Sequence, residues 1–152
     1  MMSLIQNILD NTVTEHEHGL DYAAYAVIID PAEHSLEILG RALHPQLGKL
    51  LKNFACEGRT ADQQKERWEE LLRQVHKALA GLDDDFVGAG QGENVRVVFD
   101  LDMGGVYYTR LGRHAVLFGA TLDQEEVNNG QCERDMYRMV AQIEAVSTTQ
   151  GS

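Results

Sequence analysis

Positive charge is the scarcest property of this chain. Its 152 residues carry 13 Lys and Arg against 24 Asp and Glu, a net charge of −11, and the first 40 residues hold no Lys or Arg. Nucleic-acid phosphate and an anionic membrane would both be repelled, so neither is expected as a partner. Without a basic residue, the opening stretch is expected to be neither a secretory n-region nor an Arg-rich transit peptide. Long apolar runs are missing too, since none approaches the roughly 20 residues that span a bilayer. Two cysteines far apart, Cys56 and Cys132, make no disulfide framework and suit a reduced, cytoplasmic setting. What remains is an acidic single domain, long enough to hide about two-thirds of its unfolded surface.

The charge is uneven. Residues 1–40 sum to −7, residues 41–80 to +3 and residues 81–152 to −7. The basic centre coincides with the strongest amphipathic segment, so it reads either as a solvated helix face or as a face that meets an acidic surface.

Periodicity predicts the elements in order. Ser3 with Gln6 suggests a capping box, and Leu4, Ile5, Ile8, Leu9 and Val13 continue it as a helix over Ser3–Val13. Tyr22–Ile29 and Leu36–Leu43 read as a hairpin around Asp30-Pro31, with His34 and Ser35 in its loop. Pro45 then opens a helical stretch through Leu47, Leu50, Leu51 and Phe54. A second capping box, Thr60 with Gln63, starts the helix of Trp68, Leu71, Leu72, Val75 and Leu79, with Gly81 expected at its C-cap. The acidic, Gly-rich segment Asp83–Asn94 reads as a loop, and its run Asp83-Asp84-Asp85 as a solvated linker. Val95–Leu101, Val106–Leu111 and His114–Leu122 follow as strands, the first two joined by the Asp102–Gly105 turn. A last helix, opening near Asp123 or after Gly130, carries Met136, Met139, Val140 and Ile143 on its buried stripe. These elements describe an α+β fold with one antiparallel five-stranded sheet and helices packed on it, in the order α-β-β-α(α)-β-β-β-α. One domain is expected over 1–147, with a flexible tail at 148–152.

Little in the chain points to chemistry. Glu15-His16-Glu17-His18 resembles a metal cluster, but zinc needs three or four converging ligands, and His34, His44, His76 and His114 lie on other elements. His44 reads as a loop residue, and His114 as a hydrogen-bonding residue of its strand. Gly88-Ala89-Gly90-Gln91-Gly92 has the composition of a phosphate loop but the wrong neighbours: a helix precedes it and a strand follows. Cys132, at a helix start, is the better placed of the two thiols for reactivity. Asp100 and Asp102 share a strand face beside a Gly-Gly turn, a common arrangement with no demand for acid–base work. No catalytic residue, metal or cofactor is therefore expected, and no enzyme activity. Trp68 belongs by default to the core, and only a helix stripe wider than the sheet can cover would make it an interface anchor.

The stretch Gly104-Gly105-Val106-Tyr107-Tyr108-Thr109-Arg110-Leu111-Gly112-Arg113-His114-Ala115-Val116-Leu117-Phe118 resembles the paired strands of Roadblock domains. Asn128-Asn129-Gly130-Gln131-Cys132-Glu133-Arg134-Asp135-Met136 is similar to that family's entry into its last helix, and Ser3–Leu43 fits its leading helix and hairpin. Residues 44–94 exceed the single helix the family places there and are where this chain is expected to differ from its relatives. The resemblance, to dynein light chain Roadblock-like and bacterial small-GTPase partner proteins, implies a small, non-enzymatic, cytoplasmic module that dimerises. It implies a scaffold or regulator of a small GTPase or larger complex. By position it implies a homodimer through the third strand and the middle helix, with Trp68, Leu72, Val75, Leu79, Val95, Val97 and Phe99 at the interface. Basic helices in contact would then set Glu66, Glu69 and Glu70 against Lys65, Arg67, Arg73 and Lys77 across the axis. Two other readings stay open: a type III secretion chaperone, which three strands before the last helix would disfavour, and a small-molecule sensor or enzyme on a PAS- or profilin-like sheet. The last would need buried polar groups converging on a cavity, with His114, Asp100 and Tyr108 as its candidates.

Overall fold

The computed structural model describes residues 1–51, 56 and 58–151, the last four by backbone alone. Helix α1 (Met2–Glu15) leads into the hairpin β1 (Tyr22–Asp30) and β2 (Ser35–Leu43). A short α2 (Leu47–Leu50) and a long α3 (Ala61–Gly88) connect to β3 (Arg96–Leu101), β4 (Gly104–Leu111) and β5 (Ala115–Thr121). The chain ends with α4 (Gln124–Asn128) and α5 (Gln131–Gly151). All five strands form one antiparallel sheet in the order β2-β1-β5-β4-β3, with β2 and β3 at its edges. No helix among the described residues is long and apolar enough to cross a membrane.

Strand alternation divides the core into two layers. On one face Tyr22, Ala24, Ala26, Val106, Tyr108, Val116 and Phe118 pack against Trp68, Leu72 and Leu79 of α3. On the other, Ala23, Ala42, Tyr107 and Leu117 pack against Ile5 and Leu9 of α1 and Met136, Met139 and Ile143 of α5. The central strand β5 is buried along its whole length because both layers cover it.

Several boundaries differ from the sequence reading, each for a local reason. Ser3 and Gln6 make no capping box: α1 begins at Met2 without a side-chain cap. Gln6 instead reaches the outer edge of the sheet, its Nε2 donating to the Arg41 carbonyl at 2.7 Å and its Oε1 accepting from the Arg41 N–H at 3.2 Å. The Thr60–Gln63 capping box forms as read. Helix α2 is shorter than expected, and Phe54 lies outside the described residues. Gly81 does not end α3. A glycine costs a helix interior only about 1 kcal/mol, and the next turn is held by Asp83, a buried carboxylate rather than part of a solvated linker. Its Oδ1 accepts from the backbone and side-chain amides of Asn94 at 2.8 and 2.7 Å, and Oδ2 pairs with Arg110 at 3.4 Å. The helix stops seven residues later in a Schellman motif. Gly90, at φ 78°, donates to Val87, and Gln91 donates to Phe86. The first half of the expected loop is therefore helical, and the glycines that mimic a phosphate loop include the helix terminator. At the other end both readings of the last helix hold, because Asp123 caps α4 and α5 follows Gly130.

Candidate functional site

The two sheet edges are not equivalent. At β2 the side-chain amide of Gln6 occupies the outward N–H and C=O of Arg41, and α1 packs alongside. At β3 nothing does. The Val95 carbonyl accepts from the Arg110 N–H, which makes 95 and 110 a hydrogen-bonded pair. By the antiparallel alternation, 97, 99 and 101 also bond to β4, and the N–H and C=O groups of Arg96, Val98 and Asp100 point off the open edge. An edge of this kind is normally paired or covered.

Apolar side chains flank this edge on the α3 side. Val97 and Phe99 are half-buried against the core, while Val95 is 60% exposed. Helix α3 carries two adjacent apolar rows. The first, with Trp68, Leu72 and Leu79, is buried in the chain's own core, and Trp68 stacks on Tyr22 with ring centroids 5.4 Å apart. The helix residues expected at an interface are thus spent on the sheet, except Val75, which is half-buried. The second row, Leu71, Val75, Ala78 and Leu82, lies roughly 150° around the helix from Glu69. Glu69 marks the flank towards β2, where its Oε2 takes the Arg41 guanidinium at 2.6 Å and the Tyr22 hydroxyl at 2.9 Å. It is buried there, so it cannot face a basic helix across an axis. The second row therefore looks towards β3. Leu82 is 47% exposed and Ala78 open to solvent, so the stripe is wider than the sheet covers. The spacing of 71, 75, 78 and 82 was available in the sequence as the signal for this row.

Two contacts fix the height of α3 over β3 and β4. His76 Nδ1 lies 2.8 Å from the Tyr108 hydroxyl, and burial lowers the histidine's pKa. Arg110 joins Asp83 to Glu93 at 3.4 and 3.2 Å, which ties the end of α3 to the lead-in of β3. Tyr108 is the cross-strand partner of Val97, so the middle of α3 and the middle of β3 stand at one level.

The remaining candidates do not assemble into a reactive site. His114 is exposed, Asp100 accepts from Gln124 at 3.1 Å on the surface, and Tyr108 is buried with His76; the three do not converge. His44 sits in its loop with Nδ1 accepting from the Gln46 N–H, so Nε2 donates to the His16 carbonyl. His16 approaches Asp135 at 3.6 Å, and among the described residues no three metal-ligating side chains are grouped. Cys132 is fully buried, and burial with the nearby Asp135 carboxylate pushes its thiol up to about 12, which leaves it protonated and unreactive.

No known family profile matches this chain, and no curated protein matches it. Solved structures do. MglB of Myxococcus xanthus matches with a TM-score of 0.62 at 10% identity, over 97% of this chain and 90% of that one. The gliding protein MglB of Thermus thermophilus matches at 0.65 and 13% identity, over 97% and 91%. A third structure, of MglB with tetrameric arrangement, gives 0.61 and 14%, over 91% and 84%. At this identity the likeness establishes the fold, and the Roadblock resemblance holds at that level.

Proposed function

We propose that this protein is a non-enzymatic, cytoplasmic homodimer that acts as a binding and regulatory module for a small GTPase or a larger complex. One observation carries the dimer: the open edge of β3 lies beside the partly covered apolar row of α3, and that surface is complementary to itself. An antiparallel pairing of two β3 strands centred on Val98 sets Arg96 opposite Asp100 of the second copy, twice, and Val97 opposite Phe99. An antiparallel approach of two α3 helices centred between His76 and Lys77 sets Leu71 opposite Leu82 and Val75 opposite Ala78. The two centres coincide, because His76 stands over Tyr108, beside Val97. The GTPase reading is supported by the Roadblock resemblance and by the fold shared with the MglB structures.

The three strands ahead of the last helices favour this reading over the type III secretion chaperone. Light scattering at micromolar concentration tests the dimer, with two molecules per particle expected. Arg96→Asp or Asp100→Arg alone turns two attractive cross-strand pairs into two repulsive ones, weakening dimerisation roughly tenfold to thirtyfold. The double variant restores the pairs and is expected to regain most of the loss. A monomeric wild type, or a double variant no better than either single one, overturns the dimer. For the partner, capture from native cytosol with and without a GTP analogue should recover a small GTPase in a nucleotide-dependent way. Recovery of none removes that part of the reading.

A further inference from the structure

On the sheet face away from the paired α3 helices, β3 and β4 form the floor and α5 one wall of a groove of about 180 Å³. Its lining is mainly apolar, with Val98, Tyr107, Met136, Tyr137 and Val140, and the Arg96 guanidinium lies 4.7 Å over the Tyr137 ring. The row Glu133, Tyr137, Val140 and Glu144 of α5, exposed but for the half-buried Val140, faces it, ending in a carboxylate at either end. Among the described residues of a single chain this groove has no second wall, because β3 is the edge of the sheet.

Pairing through β3 supplies that wall. Strands lie about 4.8 Å apart, and α5 packs over β4 and β5, so its axis stands about two strand spacings from the two-fold axis. The two α5 helices are then about 19 Å apart across a floor of two β3 strands. Packed helices sit 8–10 Å from axis to axis, so the space between them takes one further helix and only one. We infer that the dimer holds a helix-wide trough whose ligand is an amphipathic helix of a partner protein. Its apolar face lies on Val98, Tyr137 and Val140 of both copies, and Lys or Arg along its flanks meet Glu133 and Glu144. The row between those two glutamates is about 16 Å long, or three helical turns. A two-fold site filled by an asymmetric helix binds one helix per two chains.

This inference rests on the proposed dimer, and the experiment separates the two. The probe is a fluorescein-labelled 18-residue Leu/Lys peptide patterned as an amphipathic helix, with a scrambled peptide of identical composition as its control. Both are titrated by fluorescence anisotropy in 150 mM salt, with the oligomeric state of the same samples read by light scattering. The expected result is saturation at one patterned peptide per two chains, at least tenfold tighter than the scrambled one. Val140→Lys should weaken binding at least tenfold, and Gln142→Lys, the same charge change on another side of α5, less than twofold. Should Val140→Lys fail to fold, Glu144→Lys must weaken binding more than Glu17→Lys, its match in charge elsewhere. A dimer that binds both peptides alike, takes one peptide per chain, or responds equally to the paired variants overturns the trough and leaves the dimer standing. A monomer overturns both.

Discussion

Asp21 should make this fold lose stability as pH rises. It stands just before β1, 3% exposed, and its Oδ2 accepts the Leu122 N–H at 2.7 Å and the Thr121 hydroxyl at 3.4 Å. Burial outweighs these hydrogen bonds and the attraction of His44, and raises the carboxyl from the ordinary 3.8 to about 6. The folded chain therefore holds a proton through a window in which the unfolded chain has released it. The contribution is fully present below about pH 4 and is lost as pH rises through 6. A displacement of about two pH units corresponds to about 3 kcal/mol. Asp21→Asn keeps an acceptor for Leu122 but cannot ionise, and the buried Asp135, raised in the same direction, is unchanged in both proteins. The difference between wild type and variant thus isolates Asp21. Urea unfolding at fixed protein concentration, every half unit from pH 4 to 7.5, should show the variant gaining on the wild type by about 2–3 kcal/mol and levelling above pH 6.5. A difference that does not change with pH refutes the reasoning. So does a variant much less stable at pH 7, since the hydrogen bond to the charged form would then outweigh burial.

Four further outcomes are expected. Trp68→Ala removes the ring stacked on Tyr22 beneath α3 and should cost about 3–5 kcal/mol in denaturant unfolding. Gly104 has φ 138°, and a Cβ there would lie 2.0 Å from the Thr121 carbonyl oxygen, so Gly104→Ala should cost more than about 2 kcal/mol by the same assay. Cys132 should resist a thiol reagent in the native state while Cys56, only half-buried, reacts; mass spectrometry of the labelled chain reads this directly. Gln6→Ala frees the outward peptide groups of Arg41 and should cost about 1–2 kcal/mol, with species larger than a dimer appearing in light scattering.

The strands and the sheet were legible because alternation and turn chemistry are local, and Tyr22, Ser35 and Thr60 mark starts that the sequence reading places within a residue or two. The end of α3 was not. Gly81 is a local signal worth about 1 kcal/mol, and it loses to contacts between Asp83 and residues eleven and twenty-seven positions away. Ser3 failed as a cap for a similar reason, since Gln6 is engaged by Arg41, 35 residues on. The site was half legible. Two apolar rows lie side by side on α3, and helical spacing alone does not say which one the sheet takes. Packing against Tyr22 and Phe118 assigns Trp68 and Leu72 to the core, leaves Leu71 and Val75 half-buried at its margin, and leaves Ala78 and Leu82 exposed.

The Gln6 amide at the β2 edge reaches beyond α1. A sheet with two open edges can add copies at either side and grow without limit, as fibrils do. Here one edge is plugged by a side chain that mimics a neighbouring strand's peptide group, and the other is open. Under the proposed dimer, growth by strand pairing has a single valence and ends at the second molecule, because Gln6 and the helix that carries it shield the other edge.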